Sequence, residues 1–172
     1  MATGLKGAIA RLRGAFTPTG TDGRRRDRRG GGLPSGPSGT ADVHETLPDT
    51  RLRDVRIEYD PCLDGDPDPG EVVWTWVAYE DDPTQGKDRP VVIIGRDGAH
   101  LAGVSLSSHG GDRHDHAAVG TGSWDRDGRV SYARLDRVLA IDPATVRREG
   151  AILDPARFER LVEELKDFHR RA

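Results

Sequence analysis

The sequence predicts a mainly β domain, a small and strongly bent barrel of short strands carrying one C-terminal helix. Three observations carry this expectation. Two apolar runs, Val72–Val77 and Val91–Ile94, flank a polar loop and read as paired strands. Asp97-Gly98 and Asp127-Gly128 sit between short apolar segments and supply hairpin-turn chemistry. Finally, Phe158, Leu161, Val162, Leu165 and Phe168 recur at helical spacing after Asp154-Pro155, a cap residue followed by proline at the first helical position.

The first fifty residues stand apart. Residues 5–16 place Leu5, Ile9, Leu12 and Phe16 on one side of a short helix, which reads as a partner or membrane-surface contact or as a fraying terminus. Residues 17–50 are rich in Gly, Pro, Ser and Arg and almost devoid of large apolar side chains. Such a segment buries too little surface to offset its ordering entropy, so residues 1–50 are expected to form a disordered arm. Its Arg24–Arg29 cluster is a solvated charge run or a contact for RNA or an acidic partner.

The folded domain is expected over 51–172. Asp54–Tyr59 alternates charged and apolar residues and reads as a first strand, and a Pro/Gly turn segment leads to a strand at Glu71–Tyr79. Pro90–Gly95 and His100–Leu106 follow as strands, then a polar loop over Ser107–Ala118. Short β segments are expected near Thr121–Trp124 and Gly128–Tyr132, and a last strand over Leu135–Ile141. Pro143–Arg148 reads as a helical turn ending at Gly150, and the C-terminal helix spans 154–169.

The net charge of −3 hides a split: residues 1–50 carry eight Lys/Arg against five acids, leaving 18 basic and 24 acidic residues for the remainder. An acidic body argues against a general nucleic-acid coat, though not against a small local basic cleft. A single cysteine, Cys62, forbids an internal disulfide and fits a reducing cytosol. No apolar run reaches the length of a membrane span, and the N-terminus lacks the apolar core of a secretory signal, so a cytoplasmic protein without membrane contact is expected.

Between the two apolar runs lies Gln85-Gly86-Lys87-Asp88-Arg89-Pro90. Proline after Arg89 biases that residue toward extended backbone and holds a guanidinium at the mouth of the second strand. A rigidly presented arginine suits phosphate or carboxylate recognition, and it equally suits a structural ion pair with Asp81, Asp82 or Asp88.

These pieces, in this order, resemble the MazF/PemK family of ribonuclease toxins from toxin–antitoxin pairs. The resemblance covers Gly70 to His169. Gly70-Glu71-Val72-Val73-Trp74 is similar to the family's opening strand, Gln85–Pro90 to its signature loop, and Leu106-Ser107-Ser108 to its Leu-Thr-Ser motif. Leu135–Asp142 is similar to the strand before its last helix. Thr84 stands where many members carry Glu, and Ser107 where Thr is more usual.

The resemblance implies an SH3-like barrel acting as a metal-independent, sequence-selective endoribonuclease on single-stranded RNA, without a cofactor. The substrate's 2′-OH would attack phosphorus and leave a 2′,3′-cyclic phosphate. With it, Arg89 and Ser107 are read as catalytic residues, Gln85 and Lys87 as lining the RNA groove or as loop surface, and Trp74 and His109 as candidate RNA contacts. A homodimer and a cognate antitoxin are implied as well. Arg89 suits charge neutralisation rather than proton removal, because a guanidinium stays protonated. His109, with an ordinary pKa of about 6.5, suits proton transfer or is a loop side chain. Trp74 and Trp76 share one strand face and serve core packing, a dimer interface or base stacking.

Two other readings remain at this point. The same barrel serves as a non-catalytic binding or adaptor module if the chemistry has been lost. The loop His109-Gly-Gly-Asp112-Arg-His114-Asp115-His116 invites a metal reading, but His-x4-His-x-His is not a zinc framework, and a solvated loop is the plainer expectation with no metal ligand assigned.

Overall fold

The computed structural model describes residues 47–172, side chains at 148–150 excepted. The expected disordered arm and the helix at 5–16 fall on 1–46, outside the described residues, as does the Arg24–Arg29 cluster.

Among the described residues, eight antiparallel strands and one long helix make up the fold. The strands are β1 (Arg56–Ile57), β2 (Glu71–Ala78), β3 (Gly86–Asp97), β4 (His100–Ser107), β5 (His116–Gly120), β6 (Ser131–Arg134), β7 (Leu139–Ile141) and β8 (Arg147–Ile152). Helix α1 spans Pro155–Arg171. The sheet runs β5-β6-β4-β3-β2-β8, with β1 joining β3 and β7 joining β4. Long strands that change partner along their length curl the sheet: β4 pairs with β3 and β7 at one end and with β6 at the other. The result is the mainly β, SH3-like barrel with a C-terminal helix that the sequence predicts.

The continuous apolar character of β2 and β3 follows from burial on both faces. Val72, Val92 and Ile94 point into the main core, with Val104, Leu106 and Ala133 from neighbouring strands and Leu135 from the bend after β6. Val73, Val91 and Ile93 point the other way, into a smaller cluster with Val77, Leu101, Leu139 and Ile141. Helix α1 closes the main core through Phe158, Leu161, Val162 and Leu165. Each such side chain contributes roughly 1.5–3 kcal/mol when fully buried. The Asp154 carboxylate accepts from Ala156 N at 3.1 Å and Arg157 N at 3.2 Å, so the helix starts where the cap was expected. His169, Arg170 and Arg171 complement the dipole at its other end.

Several boundaries differ from expectation, each for a local reason. The strand expected at Pro90 begins at Gly86, because Lys87, Asp88 and Arg89 pair with Val77, Trp76 and Thr75 across β2. Proline at position 90 is tolerated at this register, opposite Trp74. Thr121–Trp124 is not a strand; the strand is β5, which begins within the segment expected as loop and ends before Thr121, because Ala117 and Val119 reach the core. The expected strand over Leu135–Ile141 shrinks to β7, since the chain bends at Leu135 and Asp136. The helical turn after Pro143 stops at Thr145, capped by Asp142, and the chain then forms β8 against β2. Asp54–Tyr59 contributes only the two-residue β1, preceded by a short 3-10 turn over Leu52–Asp54.

Candidate RNA-cleft site

The β3–β4 hairpin turns at Gly98, whose φ of 60° is the left-handed conformation such a turn requires. Its register places Val91 opposite Ser105. Arg89 and Ser107 each lie two residues beyond that pair, at the open end of the hairpin, where Arg89 pairs with Thr75 on β2 and Ser107 with Tyr132 on β6. Both are half-buried.

Arg89, Ser107 and His109 line a cleft of about 770 Å³ together with Trp74, Lys87 and Pro90. The opposite wall comes from the loop between β5 and β6, with Ser123, Arg126, Asp125 and Arg129, and from Arg147 on β8. That loop is pinned by Trp124, which is buried and donates from Nε1 to Ser131 Oγ at 3.0 Å. Five cations (Lys87, Arg89, Arg126, Arg129, Arg147) and three carboxylates (Asp88, Asp125, Asp127) face this one cleft. The local balance is therefore basic within a domain whose sequence is acidic.

The competing ion-pair reading of Arg89 is answered by the neighbouring acids. Asp88 pairs with Arg147 Nη2 at 2.6 Å. Asp82 accepts from Thr84 Oγ1 at 2.6 Å and from Gln85 Nε2 at 2.6 Å. Those hydrogen bonds hold the Asp82 carboxyl below its ordinary value. Among the described residues, Arg89 has no ion pair, and neither do Lys87 and Arg126. Gln85 is the expected site residue that the structure does not bring to the cleft: its amide closes the Asp82 turn instead.

Ser107 Oγ accepts from the backbone N–H of His109 at 3.1 Å. A hydroxyl used once as an acceptor keeps its own proton to donate. His109 Nδ1 lies 3.2 Å from Ser108 Oγ, and the ring is exposed at the cleft edge. Trp74 is half-buried and lines the cleft, whereas the ring of Trp76 packs over Gly86, where an added Cβ would meet it at 2.7 Å. The two tryptophans thus do different work.

Arg147 is a cleft residue that sequence reasoning missed. It reaches the site because β8 pairs with β2, bringing Arg147 opposite Trp74. The histidine loop gives no metal cluster among the described residues. Asp115, buried, accepts from Arg113 at 2.6 Å and contacts His116 Nδ1 at 2.9 Å. The Arg113 guanidinium holds its carboxyl well below the usual range.

A second cleft of about 520 Å³ adjoins the first and is lined by the same Arg89, Ser107 and His109. Tyr79, Glu80, Arg113, His116 and Arg134 form its other walls. No helix among the described residues is long and apolar enough to cross a membrane.

Comparison with known proteins bears on both the family and the fold. The family model for PemK-like, MazF-like toxins of type II toxin–antitoxin systems matches residues 68–169. Among solved structures, the chain is similar to one from the crystal structure of MazE-MazF (Form-II) from Deinococcus radiodurans. That likeness has 15% identity and a TM-score of 0.47, covering 63% of this chain and 100% of the other. No curated protein matches.

Proposed function

Since the chain belongs to the PemK-like, MazF-like family of type II toxin–antitoxin toxins, we propose that it is an endoribonuclease that cleaves single-stranded RNA at the Arg89–Ser107 end of the β3–β4 hairpin. The observation that carries this reading is an arginine without an ion pair among the described residues, lining the same basic cleft as a serine hydroxyl.

The reaction needs only groups that the substrate and this cleft supply. The ribose 2′-oxygen forms a bond to phosphorus as the P–O5′ bond breaks, leaving a 2′,3′-cyclic phosphate and a 5′-hydroxyl. One proton leaves the 2′-OH and one arrives at O5′. Charge gathers on the non-bridging oxygens in between, and donors preorganised for that charge lower the barrier. The Arg89 fork makes two contacts to those oxygens. Ser107 donates a third from its hydroxyl. His109 brings to the cleft an imidazole, a group that can give or take a proton in either transfer.

Trp74 offers an aromatic face to a base, and Lys87 a point charge to a flanking phosphate. Gln85 contacts RNA only by leaving Asp82. Family membership also supports a cognate antitoxin that covers this cleft, a homodimeric toxin and a cytoplasmic site of action.

Expression of the chain by itself tests the toxin role. Growth arrest that Arg89→Ala abolishes supports it; undisturbed growth with folded protein present favours a non-catalytic adaptor.

A further inference from the structure

The two clefts that meet at Arg89, Ser107 and His109 carry the same kinds of side chain in different states. In the larger cleft, Lys87, Arg89 and Arg126 have no ion pair among the described residues, and only Arg129 and Arg147 are paired, with Asp125 and Asp88. In the smaller one, every arginine other than Arg89 is already committed. Arg134 Nη2 donates to Glu80 Oε1 and to Asp136 Oδ2, both at 2.6 Å. Arg113 holds Asp115 at 2.6 Å. Arg137 donates to Asp49 at 2.5 Å and to the Ala78 carbonyl at 2.7 Å.

Cations without a partner attract phosphate irrespective of sequence, whereas paired guanidinium and carboxylate groups hold a fixed donor beside a fixed acceptor. A donor next to an acceptor matches the edge of a nucleobase and gives little net charge for a phosphate to seek.

We propose that the smaller cleft is the base-reading half of the site. It takes the nucleobase on one side of the scissile phosphate, while the Trp74–Lys87 cleft holds the backbone on the other. Glu80 and Arg134 are its specificity residues: the Glu80 carboxylate accepts from a base N–H and the Arg134 guanidinium donates to the adjacent base acceptor. Tyr79, exposed at the rim, supplies a face for that base to stack on. This rests on the ribonuclease reading above.

The test is enrichment from a randomised single-stranded RNA pool on the full-length Arg89→Ala protein, which keeps the RNA intact. Glu80→Gln, Arg134→Gln and Lys87→Ala are each added to that background, and circular dichroism checks that each folds. The parent is expected to enrich one base at a defined position. Glu80→Gln and Arg134→Gln each cut that preference about tenfold while affinity for the unselected pool stays within about twofold. Lys87→Ala does the reverse, weakening binding to every sequence and leaving the preference unchanged. A parent that binds RNA with no preference overturns the proposal, as does a preference that survives both Glu80→Gln and Arg134→Gln. Either result leaves ribonuclease activity of the wild type standing. No RNA bound by any variant overturns it together with the ribonuclease reading.

Discussion

Asp88 and Arg147 form an ion pair at 2.6 Å across the floor of the larger cleft, one residue away from Arg89. Both partners are substantially exposed, with side-chain accessibilities of 49% and 61%, so the pair is worth no more than about 1 kcal/mol. A phosphate entering the cleft therefore has a cation within reach that needs only to exchange one anion for another.

Arg147→Ala is expected to weaken single-stranded RNA binding for all sequences and to lower the salt dependence by about 0.7 in log K against log salt, the share of one phosphate. Asp88→Asn is expected to tighten binding by a few-fold, because the competing carboxylate is gone. In the double variant the gain from Asp88→Asn disappears. Fluorescence anisotropy with a 2′-deoxy oligonucleotide across a salt series reads all three.

Asp115 couples stability to pH. Its carboxyl is held low by Arg113, opposed in part by burial, and the His116 hydrogen bond adds to the lowering. Because the folded-state value lies below the unfolded one, its contribution is complete above about pH 4 and is lost as pH falls through the lower folded value. Acid unfolding should accordingly steepen below about pH 4, and Asp115→Asn should flatten that limb. Asp115→Ala should cost about 1–3 kcal/mol at neutral pH, read from urea midpoints.

Gly95 is required by close approach rather than by φ. A Cβ there would collide with the carbonyl oxygen of Arg56 and lie 2.9 Å from Ile57 Cα, prising β1 off β3. Gly95→Ala is expected to destabilise by about 1–3 kcal/mol, while Gly98→Ala, at an open turn with φ 60°, costs about 1 kcal/mol from backbone strain alone. Thermal unfolding of the two variants side by side separates these effects.

What the sequence made legible were the elements with strong, long periodicity. β2, β3, β4 and α1 announce themselves through apolar runs, an Asp-Gly turn and a capped helix. β5 and β8 did not: His116–Gly120 and Arg147–Ile152 are short and partly polar, and they lie at the two ends of the sheet order, where one flank has no neighbouring strand among the described residues. Arg89, Ser107, His109, Lys87 and Trp74 converge as expected because two adjacent hairpins carry them all. Arg147 was invisible because its place depends on a pairing between strands more than seventy residues apart. The fate of Gln85 did have a signal, since Asp82-Pro83-Thr84 is turn chemistry in which the Asp side chain captures groups two and three residues on.

The central claim is that Arg89 stabilises the charge of a phosphodiester transition state. The direct measurement is single-turnover cleavage of a long single-stranded RNA in EDTA by wild-type protein and Arg89→Ala, with end-group analysis of the products. The account predicts 2′,3′-cyclic phosphate ends from the wild type and a rate lower by about 10²–10³ in the variant, with the fold unchanged. Intact RNA across varied sequences from folded, antitoxin-free wild type, or equal cleavage by both proteins, would contradict it.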